Sequence, residues 1–482
     1  MSPIDISIFI IYMLIMLGVG YYFMRTNAGK EDYYVGGRNM GSWHIGLSVV
    51  ATDVGGGFSV GLGGLGFMMG MSGSWMLFTG LLGAWLAAVL LIPVVKSQPR
   101  FKNLYTFPEI FGFLYNSKVA FVAAIISFIG YLGFTSSQIL AGAKLASGTF
   151  VDLEMNTALW IMGLIAVVYT VLGGIKAVIY TDTIQWIILL AGFIFIGIPI
   201  SYTYVGGWEG IVSSLPAEFL RFDNLAWQDL ANWAITIIPI WFVGMTLYQR
   251  IFACRDEKTA KKAWFIAGLF EWPIMALMGV TLGLLARVAF EQGLFTDIVA
   301  LADVDPEMGL PILLSQVLPA GLMGLMMSAY FSAVLSTADS CMMAASGNLT
   351  SDILGKKLAS YGEAKTLRVS QLLTLVIGVL ALVIASQMTN VLDLMIYSYA
   401  FMVSGLLVPL IAGLFWGKSN WVAALAAMIG GGGLTATLSI LKVDLPLGLD
   451  PNFFGLLLSL ALFVLVSILF PTYQSKVKTH EL

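Results

Sequence analysis

Apolar residues run along this chain in stretches of about 20, separated by short segments that carry most of the charges. A helix of about 20 residues spans the ~30 Å hydrocarbon core of a membrane. The pattern predicts thirteen membrane-spanning helices and leaves no stretch for a separate soluble domain. The predicted spans lie near residues 5–25, 42–70, 73–97, 119–147, 157–174, 176–205, 231–253, 262–290, 320–350, 367–387, 391–416, 421–441 and 453–471.

The composition supports an integral membrane protein. Of the 482 residues, 59% are hydrophobic and 11% are charged, whereas a soluble domain has about 25% charged residues. The chain has two cysteines and two histidines, which makes a zinc site or histidine-based catalysis improbable. We therefore predict a membrane protein that is not an enzyme.

Positive charges are unevenly distributed between the two sets of loops. If the N-terminus lies outside, all but four of the 24 Lys and Arg residues fall in cytoplasmic loops, the exceptions being Lys144, Arg221, Arg287 and Lys442. Because Lys and Arg accumulate in cytoplasmic loops, the pattern predicts an outer N-terminus and a cytoplasmic C-terminus. Short loops without an organelle-targeting segment favour a prokaryotic inner membrane.

Acidic side chains fall deep, or nearly so, in several predicted spans. A charge at that depth costs ~2.5–3.5 kcal/mol and suggests a functional site. Since no buried Lys or Arg was identified as a partner, we expect cations from solution to neutralise some of these acids. Glu271, which precedes Pro273, is interpreted instead as a satisfied acid at a kink, and Asp393 as an acid near a helix end. The set comprises Asp53, Asp182, Glu271, Asp339 and Asp393.

Two short segments predict the halves of one binding site. In VATDVGGGF, residues 50–58, three glycines weaken the centre of a span. Unwound backbone is tolerated in a membrane where it lines a cavity or coordinates an ion, as in secondary transporters. In SAVLSTADS, residues 332–340, helical spacing puts hydroxyls on one face, which suits a small alkali cation. The alternative for the second segment is a seam of small residues for helix packing.

Five motifs together resemble the sodium:solute symporter family: VATDVGGGF, YTFPEIFGFLY, YTVLGGIKAVIYTDTIQ, YQRIFACRD and SAVLSTADSCMMAAS. The resemblance covers nearly the whole chain. It implies an all-α integral membrane fold with a LeuT-like core of two five-helix inverted repeats. The repeats would be residues 42–205 and 231–416, with one extra N-terminal helix at 5–25 and two C-terminal helices within 421–471.

The resemblance also implies sodium as the coupling ion. By motif, the site uses the backbone carbonyls of Ala51, Val54 and Ala333 and the hydroxyls of Ser336 and Thr337. Sialic acid transporters of the family have a second sodium site, which here would comprise Asp182, Ser336, Asp339 and Ser340. Position 339 is an acid in this chain, whereas that branch has a hydroxyl residue there.

The implied solute-binding residues are Asp53, Gly55, Gly56, Phe134, Gln138, Trp241, Gly244 and Tyr248. Choline is not supported, because two tryptophans of the choline-binding box fall at Asp53 and Gly244. Asp53 aligns with an acid that is tied to sodium coupling in proline symporters, and it could alternatively bind an ammonium group directly. Span four has no Arg to clamp the carboxylate of a sialic acid.

We therefore predict a sodium-coupled symporter that imports a small polar organic solute, amine-bearing or zwitterionic, by alternating access. The same mechanism for a neutral or anionic solute, or a membrane sensor of the same fold, remains an alternative. The expected partners are the solute, sodium ions and the lipid bilayer, without nucleic acid, and a monomer would suffice. The YQR motif predicts that Arg250 lies at the cytoplasmic mouth, either as a positive-inside loop charge or in a gating ion pair.

Overall fold

The computed structural model describes residues 2–26, 34–150, 153–295, 305–358, 360 and 362–471. Within those ranges the regular secondary structure is helical, apart from one bridge between Met40 and Cys254. The helices are α1 Pro3–Thr26, α2 Ser42–Met69, α3 Trp75–Leu86, α4 Ile92–Ser97, α5 Pro108–Leu114, α6 Ser117–Thr149, α7 Met155–Gly192, α8 Ile198–Tyr204, α9 Gly207–Ser214, α10 Trp227–Val243, α11 Met245–Ala253, α12 Glu257–Leu269, α13 Ala276–Glu291, α14 Gly309–Val317, α15 Leu322–Gly347, α16 Gly355–Leu358, α17 Glu363–Ala385, α18 Val391–Phe415, α19 Trp421–Leu441 and α20 Pro451–Leu469.

Wider helical turns join several of these helices into longer membrane crossings. They are Ala87–Leu91 between α3 and α4, Phe193–Gly197 between α7 and α8, and Phe270–Met275 between α12 and α13. Helices occupy all thirteen predicted spans. Within the described residues, eight helices are long and apolar enough to cross a membrane, and the bent pair α10 and α11 makes up to nine. The predicted all-α membrane architecture is confirmed, while the number thirteen and the two repeat boundaries stay predictions.

α7 contains the predicted spans five and six as two arms. Thr170 in the first arm contacts Asp339 of α15, whereas Phe193, just beyond the second arm, packs against Tyr330 of α15. A straight helix from Thr170 to Phe193 would be about 35 Å long, but the two contact points on α15 are only about 14 Å apart. The chain therefore turns back between the two arms, as two separate spans require.

Among the described residues three membrane crossings are broken, and the sequence indicated two of these breaks, at the glycine run 55–57 and beside Pro273. α2 breaks at Gly55, whose φ of 46° and ψ of −165° are accessible mainly to glycine. The seventh crossing bends by 43° at the extended residue Gly244, between α10 and α11. The eighth is interrupted at Trp272, where φ is −136° and ψ is 126°.

α15 forms the centre of the protein. It is buried along nearly its whole length and packs against α1, α2, α6, α7, α11 and α17. Its Ser and Thr side chains therefore face other helices instead of lipid. The break in α2 lies directly against it, since a Cβ at Gly55 would be 2.3 Å from Thr337 Oγ1.

Candidate sodium and solute site

The predicted sodium ligands meet where the broken α2 crosses α15. The hydroxyl of Thr337 donates to the carbonyl of Ala51 at 2.9 Å and to that of Ala333 at 3.2 Å. Ser336 also donates to the Ala333 carbonyl, at 3.1 Å. Val54 is buried beside the break at Gly55. Each hydroxyl has lone pairs for a cation and a proton that can rotate away, so the donor set suits sodium.

The predicted second sodium site contains a protein cation in this structure. The Arg250 side chain is fully buried, with Nη2 3.6 Å from Asp182 Oδ2. Nη2 also donates to Thr52 Oγ1 at 2.6 Å and to Ser340 Oγ at 2.8 Å. Nε donates to Ser48 Oγ at 3.1 Å, and Ser48 donates to Asp182 at 2.5 Å. The guanidinium therefore neutralises Asp182 within a closed hydrogen-bond network.

This network corrects one expectation from the sequence, because Asp182 is not a buried acid without a basic partner. Of the two roles considered for Arg250, the structure has the ion pair and not an exposed loop charge. The pairing was missed because α11 follows the break at Gly244 and carries Arg250 into the protein, toward α2 and α7. Asp339 is directed elsewhere, toward the hydroxyl of Thr170. Of the four predicted second-site residues, Asp182 therefore lies within reach of Ser336 and is bridged to Ser340 by the guanidinium, whereas Asp339 is directed away.

Asp53 lies at the break of α2 and is bordered by aromatic side chains. Tyr399 of α18 donates its hydroxyl to Asp53 Oδ1 at 3.2 Å. The Phe134 ring of α6 meets the Tyr399 ring edge-on, with centroids 4.9 Å apart. Asp53, Phe134 and Tyr399 are all buried. Phe134 was predicted as a solute-binding residue and is thereby placed close to Asp53.

Glu271 lies at the kink that the sequence interpretation expected, on the interrupted segment of the eighth crossing. Its carboxyl comes within hydrogen-bonding reach of that of Asp53. Apart from this contact, no hydrogen-bond donor among the described residues serves either Glu271 oxygen or Asp53 Oδ2. The unwinding before Pro273 directs Glu271 into the protein, toward Asp53. Asp393, in contrast, lies exposed in the first turn of α18, as expected for an acid near a helix end.

The second break is supported from α6. Tyr131 Oη lies 3.0 Å from Thr246 Oγ1 and accepts the backbone N–H of Thr246 at 3.1 Å. The first N–H groups of a helix have no partner within the helix, so Tyr131 satisfies one of them at the start of α11. The ring of Tyr131 also lies 6.4 Å from that of Phe134. One aromatic cluster therefore links the breaks at Gly55 and Gly244.

The remaining predicted solute residues fall into two groups. Gly56 packs on α15, since a Cβ there would be 2.0 Å from Val334, and the Gln138 amide lies 3.3 Å from Ser137 Oγ. Trp241 instead contacts Gly83 and Trp264, and Tyr248 packs on Phe107 with centroids 4.5 Å apart. Trp241 and Tyr248 therefore pack against neighbouring helices, and neither contacts Asp53 among the described interactions.

Sequence reasoning missed the part that three residues play at this site, namely Tyr131, Tyr399 and Glu271. Tyr399 lies in an apolar span with no local motif, so only the packing of α18 against α2 identifies it. Glu271 did carry a signal, because an acid in mid-span, two residues before a proline, is unusual.

Comparison with known proteins agrees with this geometry. The sequence profile of the sodium:solute symporter family matches residues 33–431. The chain belongs to that family, so it is a sodium-coupled transporter of a small solute and not an enzyme. The resemblance drawn from the motifs is thereby confirmed.

Three individual proteins illustrate the range of the family. The chain is 26% identical to a sodium/glucose cotransporter of Vibrio parahaemolyticus, over 100% of this chain and 92% of that one. It is 28% identical to an osmoregulated proline transporter of Bacillus subtilis (strain 168), over 87% and 86%. The structure of a Na⁺-coupled sialic acid symporter aligns over 99% of this chain and 100% of that one, with a TM-score of 0.79 at 20% identity, which shows a shared fold.

Proposed function

We propose that this symporter imports a small amine-bearing solute whose ammonium group binds Asp53. The observation that carries the proposal is a buried carboxylate at the break of α2, next to the sodium-ligand set and bordered by Tyr399 and Phe134. A desolvated carboxylate favours a nearby cation. The two aromatic rings add cation–π attraction and an apolar surface for the rest of the solute.

The coupling ion binds at Ala51, Val54, Ala333, Ser336 and Thr337 in this proposal. Ala51 and Val54 flank Asp53 in the sequence, so sodium and solute depend on the same unwound backbone. Sodium holds the break against α15 and thereby prepares Asp53 and the backbone around Gly55 and Gly56 for the solute. The solute then completes the site before the protein opens inward.

We assign the cation of the predicted second site to Arg250. Its guanidinium contacts Asp182 and Ser340, two of the residues expected to bind a second sodium ion. One sodium ion per cycle is therefore the expected stoichiometry. A membrane potential of 100 mV contributes about 2.3 kcal/mol per charge moved inward, which corresponds to more than tenfold accumulation of solute.

The orientation proposed from the loop charges is an outer N-terminus and a cytoplasmic C-terminus in a prokaryotic inner membrane. Reporter fusions at the C-terminus and in the loop before α10 would test it. A reporter that is active only in the cytoplasm should be active at the C-terminus and inactive before α10. The reverse result would contradict the orientation.

Uptake into proteoliposomes tests the proposed function. Radiolabelled proline, putrescine and glucose would be offered with and without an inward sodium gradient. We expect sodium-dependent uptake of an amine, and at least a tenfold loss of its affinity in Asp53→Asn. Asp223→Asn, an exposed surface acid, is the control and should behave as the parent. Sodium-driven uptake of glucose alone, or an Asp53→Asn variant with unchanged sodium and solute affinities, would refute the assignment.

A further inference from the structure

The two buried acids Asp53 and Glu271 form one unit. They come from different crossings, and their carboxyl groups lie within hydrogen-bonding reach of each other. Glu271 is held from behind by the backbone of α3, because a Cβ at Gly80 would be 1.8 Å from Glu271 Oε2. Tyr399 occupies one oxygen of Asp53. The pair is therefore packed against α3 on the Glu271 side and accepts one hydrogen bond, from Tyr399, on the Asp53 side.

Apart from the contact between the two carboxyls, three oxygens of this pair lack a donor among the described residues: Asp53 Oδ2 and both oxygens of Glu271. Within the described part of the chain, no Lys, Arg or His forms an ion pair with either acid. Two adjacent carboxyl groups in a desolvated site repel each other unless they share a proton or a cation lies between them. The arrangement thus calls for a positively charged ligand with hydrogens to donate.

We propose that Asp53 and Glu271 together bind the ammonium group of the solute, and that the pair selects amines that carry no carboxylate. This inference rests on the proposed function, because it takes Asp53 as the solute anchor. It goes further by naming the substrate class as cationic amines, in preference to zwitterionic amino acids.

The balance of charge at the break of α2 supports the selection. Arg250 neutralises Asp182. Asp182 therefore contributes no net charge that the solute or sodium would have to balance. An ammonium group bound between the two carboxyls takes the place of the proton that they share. Asp53 and Glu271 then contribute two negative charges, which one sodium ion and one ammonium group would neutralise. An amino acid bound in the same way brings a carboxylate as well and would leave one negative charge in excess. Uncompensated charge in a buried site is strongly unfavourable.

The surroundings agree with an amine that has an apolar body. Tyr399 and Phe134 present a T-shaped aromatic pair next to Asp53, and Tyr131 extends it. The hydroxyls of Tyr131, Tyr399 and Thr246 are among the polar groups around these rings. The guanidinium of Arg250 also reaches this region, with Nη1 donating to the Thr246 carbonyl at 3.3 Å, but it is already engaged by Asp182 and Ser340.

The test compares matched pairs of compounds that differ by one carboxylate. Pyrrolidine would be measured against proline, and putrescine against ornithine, by sodium-dependent uptake and by competition in proteoliposomes. The parent protein should bind at least one amine tenfold or more tightly than its amino acid. In Glu271→Gln, the amine should lose at least tenfold in affinity while the amino acid loses none, so the ratio falls toward one. Glu257→Gln, an exposed glutamate paired with Lys261, is the control and should keep the parent ratio.

Each outcome bears on the inference. A parent protein that binds both amino acids as tightly as the matched amines would overturn it, and so would a folded Glu271→Gln variant with an unchanged ratio. If Glu271→Gln fails to fold, the parent ratio decides, and Glu271→Asp, which keeps the charge, should preserve the preference. Preference for an amino acid with intact sodium dependence would overturn only this inference. Indifference to sodium and to Asp53→Asn would instead refute the proposed function.

Discussion

Replacing Arg250 with glutamine should expose the role of the buried guanidinium. The variant removes the positive charge and leaves Asp182 buried without its partner. At 3.6 Å the attraction is about 4.6 kcal/mol for an effective dielectric constant of about 20. Breaking a buried ion pair on one side typically costs about 3–5 kcal/mol. We therefore expect Arg250→Gln to be destabilised by about 3–5 kcal/mol.

A double-mutant cycle isolates the pair. Arg250→Gln, Asp182→Asn and the double variant would be unfolded in detergent, with tryptophan fluorescence as the readout. Because the double variant leaves no uncompensated charge, its destabilisation should be at least 1.5 kcal/mol smaller than the sum of the single effects. A coupling energy below about 0.5 kcal/mol would show that Arg250 and Asp182 do not depend on each other.

Sodium provides a second readout of the same variant. Without the guanidinium, Asp182, Ser336 and Ser340 become available to a cation from solution. The Hill coefficient for sodium activation of uptake should be about one in the parent protein and above one in Arg250→Gln. Sodium should also stabilise the variant more steeply than the parent, by mass action. A parent Hill coefficient near two would refute the assignment of Arg250 as the resident cation.

Three further predictions follow from individual contacts. Gly55→Ala should abolish sodium-driven uptake, because a φ of 46° is strained for alanine and the added Cβ would be 2.3 Å from Thr337 Oγ1. Gly433→Ala is the control and should transport normally, because no atom lies within 4 Å of the added Cβ. Thr337→Ala should raise the sodium concentration for half-maximal uptake at least tenfold, whereas Thr337→Ser, which keeps the hydroxyl, should not. If both variants changed that sodium concentration equally, the hydroxyl would be dispensable. Lys144→Met should destabilise the protein by about 3–5 kcal/mol in the same unfolding assay, because it leaves buried Glu307 without its partner at 2.6 Å. The exposed Lys442→Met is its control, and an equally stable Lys144→Met would contradict the argument.

The parts of the site that the sequence predicts are those that local chemistry determines. A run of three glycines must weaken a helix wherever it stands, and the observed break falls at the first of them, Gly55. Hydroxyls three and four residues apart must share a helical face, so Ser336 and Thr337 both meet the carbonyl of Ala333. These features need no knowledge of how the helices pack.

The parts that the sequence did not predict depend on which helices meet. Arg250 and Asp182 are far apart in the chain, and a basic residue near a predicted span end is usually a cytoplasmic loop charge. Only the bend at Gly244 and the packing of α11 against α2 and α15 bring Arg250 to Asp182. In the same way, the meeting of Glu271 with Asp53 depends on the unwinding at Trp272, and the position of Tyr399 depends on α18 lying beside α2.

The shared use of one break has a thermodynamic consequence for transport. In the proposed function Ala51 and Val54 bind sodium while Asp53, Gly55 and Gly56 bind the solute, so both ligands would bear the entropic cost of ordering the same few residues. Whichever binds first reduces that cost for the other. Linkage requires the factor by which sodium raises solute affinity to equal the factor by which solute raises sodium affinity. Equilibrium binding measured in both directions should give equal factors, and both should shrink together in Gly55→Ala. Coupling factors that keep their parent value in Gly55→Ala would show that the two ligands are coupled elsewhere than at the break.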